Sequence, residues 1–385
     1  MHRNRLIVLL LLIAALLSSC IKVYEPLIRN EDSSKYVVDA QLTDAGGIQI
    51  ITVSTTSSLN DPQFIPLTGC LLMVSDDKGH DFAATDLGGG SYQLAIDQEF
   101  LKPGGSFQLS VHTPSGEDLL SDWDQLNASP EVDSVYFERS LKPTTDPEFN
   151  LDGLQFYLNL KAAETDSRFY RWEAIETFEY HVDYPREWWY DGVVHHISPP
   201  DYSRKVCWTT RNVGNIYTLS TRNLAANSYN RLPLHYVDNY TNKLAYGYSL
   251  EIRQYALSEA AYNYWEQLRE NSQGQGGLYE KQPLAISSNI RNITNPAKEV
   301  LGFFSMSSVR TKRIFAAPMP DMELHFSTYC NPMKLERGLA EIDYTEYPAF
   351  LMDGINTYKS VLLSPYCVDC LSLGGKNVKP SFWPY

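Results

Sequence analysis

The sequence predicts a mainly β protein, with an N-terminal β-sandwich of the immunoglobulin or transthyretin kind and a larger β-rich domain after it that holds one prominent helix. Three observations predict this. Short runs rich in β-branched and aromatic residues recur at near-regular spacing from about Lys35 to Asp122, broken by Gly, Pro, Asn and Asp. A longer segment around residue 175 alternates apolar and polar over many positions, as a strand with one buried face does. Apolar residues at sustained helical spacing are convincing in one place, Ser258–Asn271. The expected layout is a signal peptide over 1–19, a lipidated tether over 20–34, the sandwich over 35–130 and the second domain over 131–385.

The head of the chain sets the compartment. Arg3 and Arg5 precede a continuously apolar run from Leu6 to Leu17. That run is shorter than the roughly 20 residues a bilayer-spanning helix needs and has the length of a secretory h-region. It ends in Leu17-Ser18-Ser19-Cys20, the form of a bacterial lipobox, so Cys20 is the candidate lipidation site. The competing reading is an ordinary signal peptide with a chance cysteine, against which stands the register of leucine, two small residues and cysteine. One acyl chain holds a protein only marginally, whereas two or three hold it essentially for good, at about 0.8 kcal/mol per buried methylene. Residues 21–34, with their Pro, Asn, Ser and charges, read as a tether.

Within the sandwich, "YVVDAQLT" puts Tyr36, Val38, Ala40 and Leu42 on one face. "IQIITVSTT", "GCLLMVSDDKG", "GGGSYQLAI" and "SFQLSVHTPSGEDLLS" repeat the scheme of strand and turn. "NASPEVDSVYFE" reads as a boundary, with Pro130 as the breaker. Beyond it, "RFYRWEAIETFEYHVDY" places Tyr170, Trp172, Ala174, Phe178, Tyr180 and Val182 on one face and Arg171, Glu173, Thr177, Glu179, His181 and Asp183 on the other. "STRNLAANSYNRLPLHYV" reads as a loop and a short strand. Ser258 is a fitting N-cap, Glu259 favours the first turn, and Ala261, Tyr264, Trp265 and Leu268 form the helical stripe. "EVLGFFSMSSVRTKRIFAAP" reads as two strands.

The formal charge is −14, and cleavage before Cys20 would remove two further positive charges. With no basic patch, such a body is a poor ligand for nucleic acid, whose phosphates demand Lys and Arg. The 26 Tyr and 7 Trp are numerous. Trp188, Trp189 and Tyr190 lie between Pro185 and Gly192, which suggests a loop whose rings contact a partner or a glycan or peptide ligand; the competing reading is that they cap a core. His195 and His196 are adjacent, point to opposite faces of any strand, and so do not chelate one metal together. No zinc-protease, nucleophile-elbow or phosphate-loop motif occurs, and no cofactor is indicated.

Six cysteines are present. With Cys20 carrying lipid, Cys70 in an apolar strand reads as a buried free thiol. Cys207, Cys330, Cys367 and Cys370 are candidate disulfide partners in an oxidising compartment, in any of three pairings. "CVDC" is not expected to be a redox motif, because the fifteen Gly- and Pro-containing residues after it offer no helix to lower a thiol pKa. A zinc site would need a second close pair, which is missing.

The stretches "LLSSC", "YVVDAQLT", "VDSVYF", "YSLEIRQYALSEAAYNYWEQLREN", "QPLAISSNIRNITNPAKEVLGFFSMSSVRTKRIF" and "CVDCLSLGGKNVKPSFWP" resemble the domain of unknown function 4249 family of Bacteroidota lipoproteins. One departure is "ISSNIRN", where the family tends to have Gly before the Asn. The resemblance implies an outer-membrane lipoprotein, often encoded near TonB-dependent transporters, and supplies no catalytic residues. Acidic residues directly after the lipidated cysteine often mark surface export in such bacteria. Here Ile21-Lys22-Val23-Tyr24 follow with a lone Glu25, which leaves both membrane faces open. The function expected is a non-enzymatic binding or accessory lipoprotein beside a TonB-dependent nutrient transporter; the alternatives are a surface hydrolase of glycan or peptide and a structural envelope protein.

Overall fold

Alternation dictates the first layer. Tyr36–Thr43 buries every second side chain, and Tyr36, Val38, Ala40 and Leu42 all enter one core. The structure, a computed structural model, describes residues 34–58, 61–146, 148–273, 285–328, 330–352 and 360–384. The signal peptide, Cys20 and nearly all of the tether lie outside these. The molecule is mainly β, with four sheets and one α-helix among the described residues.

The first core is a sandwich. One wall is the end of a ten-stranded sheet, in which Tyr36–Thr43, Gly47–Thr55, Ser91–Ile96 and Thr85–Gly88 lie side by side. The other wall is a six-stranded sheet containing Leu71–Asp76, Ser106–His112 and Asp118–Ser121. Val38, Ile51 and Tyr92 from one wall meet Val74, Phe107 and Leu109 from the other. Cys70 is buried here as a free thiol, as the sequence implied. Its N–H donates to the Tyr92 hydroxyl at 3.0 Å, and that hydroxyl donates to the Leu67 carbonyl at 2.7 Å. Fully burying each such large side chain contributes about 1.5–3 kcal/mol.

The sandwich is completed from far along the chain. Ile290–Asn292 adds to the edge of the six-stranded sheet through Leu119–Ser121. Val300–Ala316, which the sequence suggested was two strands, is one strand of 17 residues. Its first half runs parallel to Tyr36–Thr43, from Tyr36 opposite Val300 to Thr43 opposite Ser307. Its second half runs antiparallel to Tyr248–Ala256. The change of partner explains the change of composition at Ser308. The apolar half serves the first core, while the basic half finds acceptors at the seam: Val309 N–H and Arg310 reach Asp44 at 2.8 and 3.0 Å, and Lys312 donates to the Asp133 carbonyl at 2.7 Å. Gly302 has φ +91° and faces the Val38 backbone so closely that any Cβ would collide with the Val38 carbonyl oxygen.

The same ten-stranded sheet continues past residue 130. Beyond Val300–Ala316 come Tyr248–Ala256, Phe169–His181 and Val206–Asn212. From Lys35 onward the chain is one compact unit, with two main cores strung along this sheet. The second core lies between the sheet and a three-stranded layer of Ser134–Pro143, Asn150–Lys161 and Ser228–Asp238. Trp172, Tyr248 and Leu250 meet Phe156, Leu158 and Val237 there. The eleven-residue Ser228–Asp238 strand is longer than its composition suggested, and its pairing with Asn150–Lys161 contains register shifts that accommodate Pro233.

The helix Glu259–Gln273 covers the opposite sheet face. Ser258 caps it, its Oγ accepting the Ala261 N–H at 3.1 Å. Tyr264 stacks on Phe303 at 4.6 Å, and the Arg171 guanidinium lies 3.8 Å from the centre of a Trp265 ring.

Candidate functional site

The strand Phe169–His181 ends in an open cleft of about 460 Å³. Its walls come from four separate segments: Tyr180–Asp183, Tyr240–Asn242, Phe326–Thr328 and the C-terminal Tyr366 and Leu373. Volume and mixed lining suit a small-ligand site. His181 is held from two sides: its Nε2 lies 2.7 Å from Glu179 Oε1, and its ring stacks on Tyr246 with centroids 3.6 Å apart. Glu179 in turn accepts the buried Trp383 indole N–H at 3.0 Å. Thr328 donates to Asp183 at 2.6 Å. Tyr366 keeps 53% of its surface open to solvent and can offer its ring to a ligand, while Tyr240 keeps 40%, its ring packed against Phe149 at 5.1 Å and His325 at 5.0 Å.

Two devices hold these walls. The first is a charge hub at Glu176, on the same strand and 2% exposed. Its carboxylate receives Arg211 Nε at 2.6 Å, Lys243 Nζ at 3.0 Å and the Tyr248 hydroxyl at 2.9 Å, with His235 Nε2 at 3.4 Å. Burial pushes the carboxyl up, but His235, Arg211 and Lys243 outweigh it and hold Glu176 well below the ordinary range. Burial and the same carboxylate push the Tyr248 hydroxyl far above its usual value, so it stays a donor. Lys243 follows Asn242 directly, so this ion pair pins the turn that carries Tyr240–Asn242 to the strand that carries Tyr180–Asp183.

The second device is the cysteine framework. The four candidates form two disulfides, Cys207–Cys370 and Cys330–Cys367, with Cα separations of 5.7 and 5.6 Å. The two cysteines of "CVDC" therefore go to different partners, and the motif is structural. Around them, Tyr180 OH donates to the Cys370 carbonyl at 2.6 Å, Tyr184 N–H to Cys367 at 3.1 Å, and Trp208 and Lys376 exchange two backbone bonds at 2.9 Å. Among the described residues no group of His, Cys, Asp and Glu is arranged to hold a metal ion.

The Trp188 region is a strand, which corrects the expected loop. Arg186–Tyr190 lies between Val194–Asp201 and Ala349–Leu351 in a five-stranded sheet. Its rings are half-buried. Trp188 stacks on His196 at 3.6 Å and Trp189 on His195 at 4.7 Å, while Tyr190 meets the Tyr347 ring edge-on at 5.2 Å. Trp189 packs on the cluster around Cys330–Cys367, and Trp188 and Tyr190 on that around Ala349 and Val361, so they stand on opposite faces. His195 and His196 alternate likewise, beside Asp191 and Glu187 at 2.8 and 3.7 Å. These aromatics cap a small core beside the cleft rather than lining it.

A disulfide-locked β-sheet body with an open aromatic cleft is the class of protein this defines. Residues 21–313 match the family described as "Domain of unknown function (DUF4249)", and the chain belongs to that family. The match ends before Cys330, Cys367 and Cys370. No curated protein matches the chain. Among solved structures it is similar to a trypsin-activated alpha-2-macroglobulin from Escherichia coli, at 10% identity and a TM-score of 0.20, over 59% of this chain and 15% of that one. It is also similar to a DUF4785 family protein from Legionella pneumophila, at 12% identity and a TM-score of 0.17, over 57% of this chain and 52% of that one. The chain thus spans a minor part of the first and about half of the second, and likenesses at these scores carry no argument.

Sequence reasoning singled out the cysteines but neither Glu176 nor the cleft. Glu176 had a signal: it occupies an inward position of the alternating strand, between Ala174 and Phe178, where a carboxylate demands partners.

Proposed function

We propose that the chain is a non-enzymatic binding lipoprotein, anchored to the outer membrane through Cys20 and working as an accessory to a TonB-dependent transporter. The observation that carries the binding role is the cleft at Asp183, Tyr240 and Tyr366, whose walls are fixed by two disulfides and the Glu176 hub while the Tyr366 ring stays open to solvent. A rigid, preformed site loses little conformational freedom on binding. The lipobox-like head and the family likeness support the anchor and the partner.

Pull-down of the lipidated protein from detergent-solubilised outer membranes tests this reading. Wild type should fractionate with the outer membrane and bring a TonB-dependent transporter with it, while Cys20→Ser should be found in the soluble fraction. Firm membrane retention of C20S would overturn the anchor, and recovery of the wild-type chain alone would overturn the partnership.

A further inference from the structure

We infer that the cleft between Tyr240 and Tyr366 binds a neutral oligosaccharide, an inference that rests on reading the chain as a binding protein. The described lining residues include no lysine or arginine, but do include the Asp183 carboxylate. Among the described lining residues the one basic side chain, His181, is already paired with Glu179 at 2.7 Å, so on a chain of formal charge −14 an anionic ligand meets no free cation there. Free carboxylate and phosphate groups are therefore disfavoured.

The polar groups that remain are those that read hydroxyls. Asp183 keeps acceptor capacity beside its bond from Thr328, the Thr328 and Thr241 hydroxyls, which donate to Asp183 and to the Asp238 carbonyl, can still accept, and the Asn242 amide both donates and accepts. Beside them stand the Tyr366 ring, 53% exposed, and the outer part of the Tyr240 ring, which Phe149 and His325 cover in part. A pyranose presents the matching surface, with an apolar face of C–H groups and a rim of hydroxyls. Flat aromatic faces next to mixed donors and acceptors fit that alternation.

An extended peptide would bind most simply by adding a strand to a free sheet edge. The backbone of the strand wall, and the entry to the Phe326–Thr328 wall, is already engaged. Tyr180 and His181 pair with Cys207 and Val206, Val182 N–H donates to Lys205 at 3.0 Å, and His325 N–H donates to Asn239 at 2.8 Å. Side-chain recognition of a sugar uses what these walls leave available.

The test is calorimetric titration of the full mature protein in detergent with cellohexaose, laminarihexaose, xylohexaose and mannohexaose. Hexagalacturonate serves as the anionic counterpart and a tryptic casein digest as the peptide counterpart. One or more neutral hexaoses should bind saturably at one site per chain. Tyr366→Ala and Tyr240→Ala should each weaken binding about three- to tenfold, the scale of one ring contact, and Asp183→Asn at least about tenfold, the scale of a hydrogen bond to a charged group. Tyr366 is exposed enough that its loss leaves the fold intact, which an unchanged unfolding midpoint would verify. Preference for hexagalacturonate, binding of peptides alone, neutral binding insensitive to all three substitutions, or no binding of any neutral hexaose would overturn the inference. The pull-down reports separately on the binding-protein reading. A transporter that co-purifies while every hexaose fails rejects only the ligand class; hexaose binding without a transporter rejects only the partnership.

Discussion

Replacing Glu176 with alanine is expected to lower the free energy of unfolding by about 3–5 kcal/mol, the range for removing one partner of a buried ion pair. The physical cause is what stays behind. Lys243 and the Tyr248 hydroxyl are buried against Glu176 and Arg211 reaches it from the edge, so three donors lose a shared acceptor, and His235, 3.4 Å away, loses its counter-charge. Adding Lys243→Met to Glu176→Leu should recover part of the loss, since an apolar pair replaces a lone buried charge. The pH dependence has a definite sign. Glu176 titrates below its unfolded value of 4.5, so between the two values the unfolded chain binds more protons than the folded one. The stabilisation is complete above about pH 4.5 and is lost as pH falls towards the folded pKa. Urea unfolding at pH 3 to 7 should give a shallower acid limb for Glu176→Ala than for wild type. A stability loss under about 1 kcal/mol, or an unchanged acid limb, would contradict the hub.

Removing the Cys207–Cys370 bridge, as Cys207→Ser with Cys370→Ser, is the second large effect. The bridge closes a separation of 163 residues and Cys330–Cys367 one of 37. The chain-entropy model assigns about 5 kcal/mol to the longer loop and about 4 to the shorter, with measured values commonly about 2–4. The longer bridge also fastens the C-terminal segment, where Gly375 lies so close to Tyr180 and Cys207 that no side chain fits. Its loss should therefore weaken the unfolding transition and open the Tyr366 wall of the cleft to protease. Peptide mapping without reductant should recover Cys207 linked to Cys370 and Cys330 linked to Cys367. A Cys367–Cys370 link, or no change in unfolding midpoint for the double variant, would contradict the assignment.

Much of this fold was legible because period-two alternation is a local property. Tyr36–Leu42 and Tyr170–Val182 declare their buried faces without reference to distant partners, and Ser258 with the Ala261–Leu268 stripe declares the helix. The features missed are those set by distant partners. Val300–Ala316 reads as two strands because it changes partner, and therefore composition, halfway. The Trp188 strand reads as a loop because one neighbour, Ala349–Leu351, lies about 160 residues away in sequence. Its other neighbour was foreshadowed by Asp191-Gly192, a hairpin signal, and Gly192 does take φ +100° there. Cysteine spacing allows three pairings, and only the packing of Tyr180 against Cys370 and Tyr184 against Cys367 selects one. The cleft draws on four segments, each ordinary alone, and emerges only when the sheet and disulfides bring them together.

The claim that this is a binding protein, and not a hydrolase, is tested most directly by following one labelled oligosaccharide through a binding cycle. A reducing-end fluorophore on a neutral hexaose that binds is incubated with the mature wild-type protein, and bound and released material is sized by chromatography. The account predicts that the hexaose is retained by wild type, retained less by Tyr366→Ala, and released at its full length after prolonged incubation. Release of shorter labelled products that depends on the protein would contradict it.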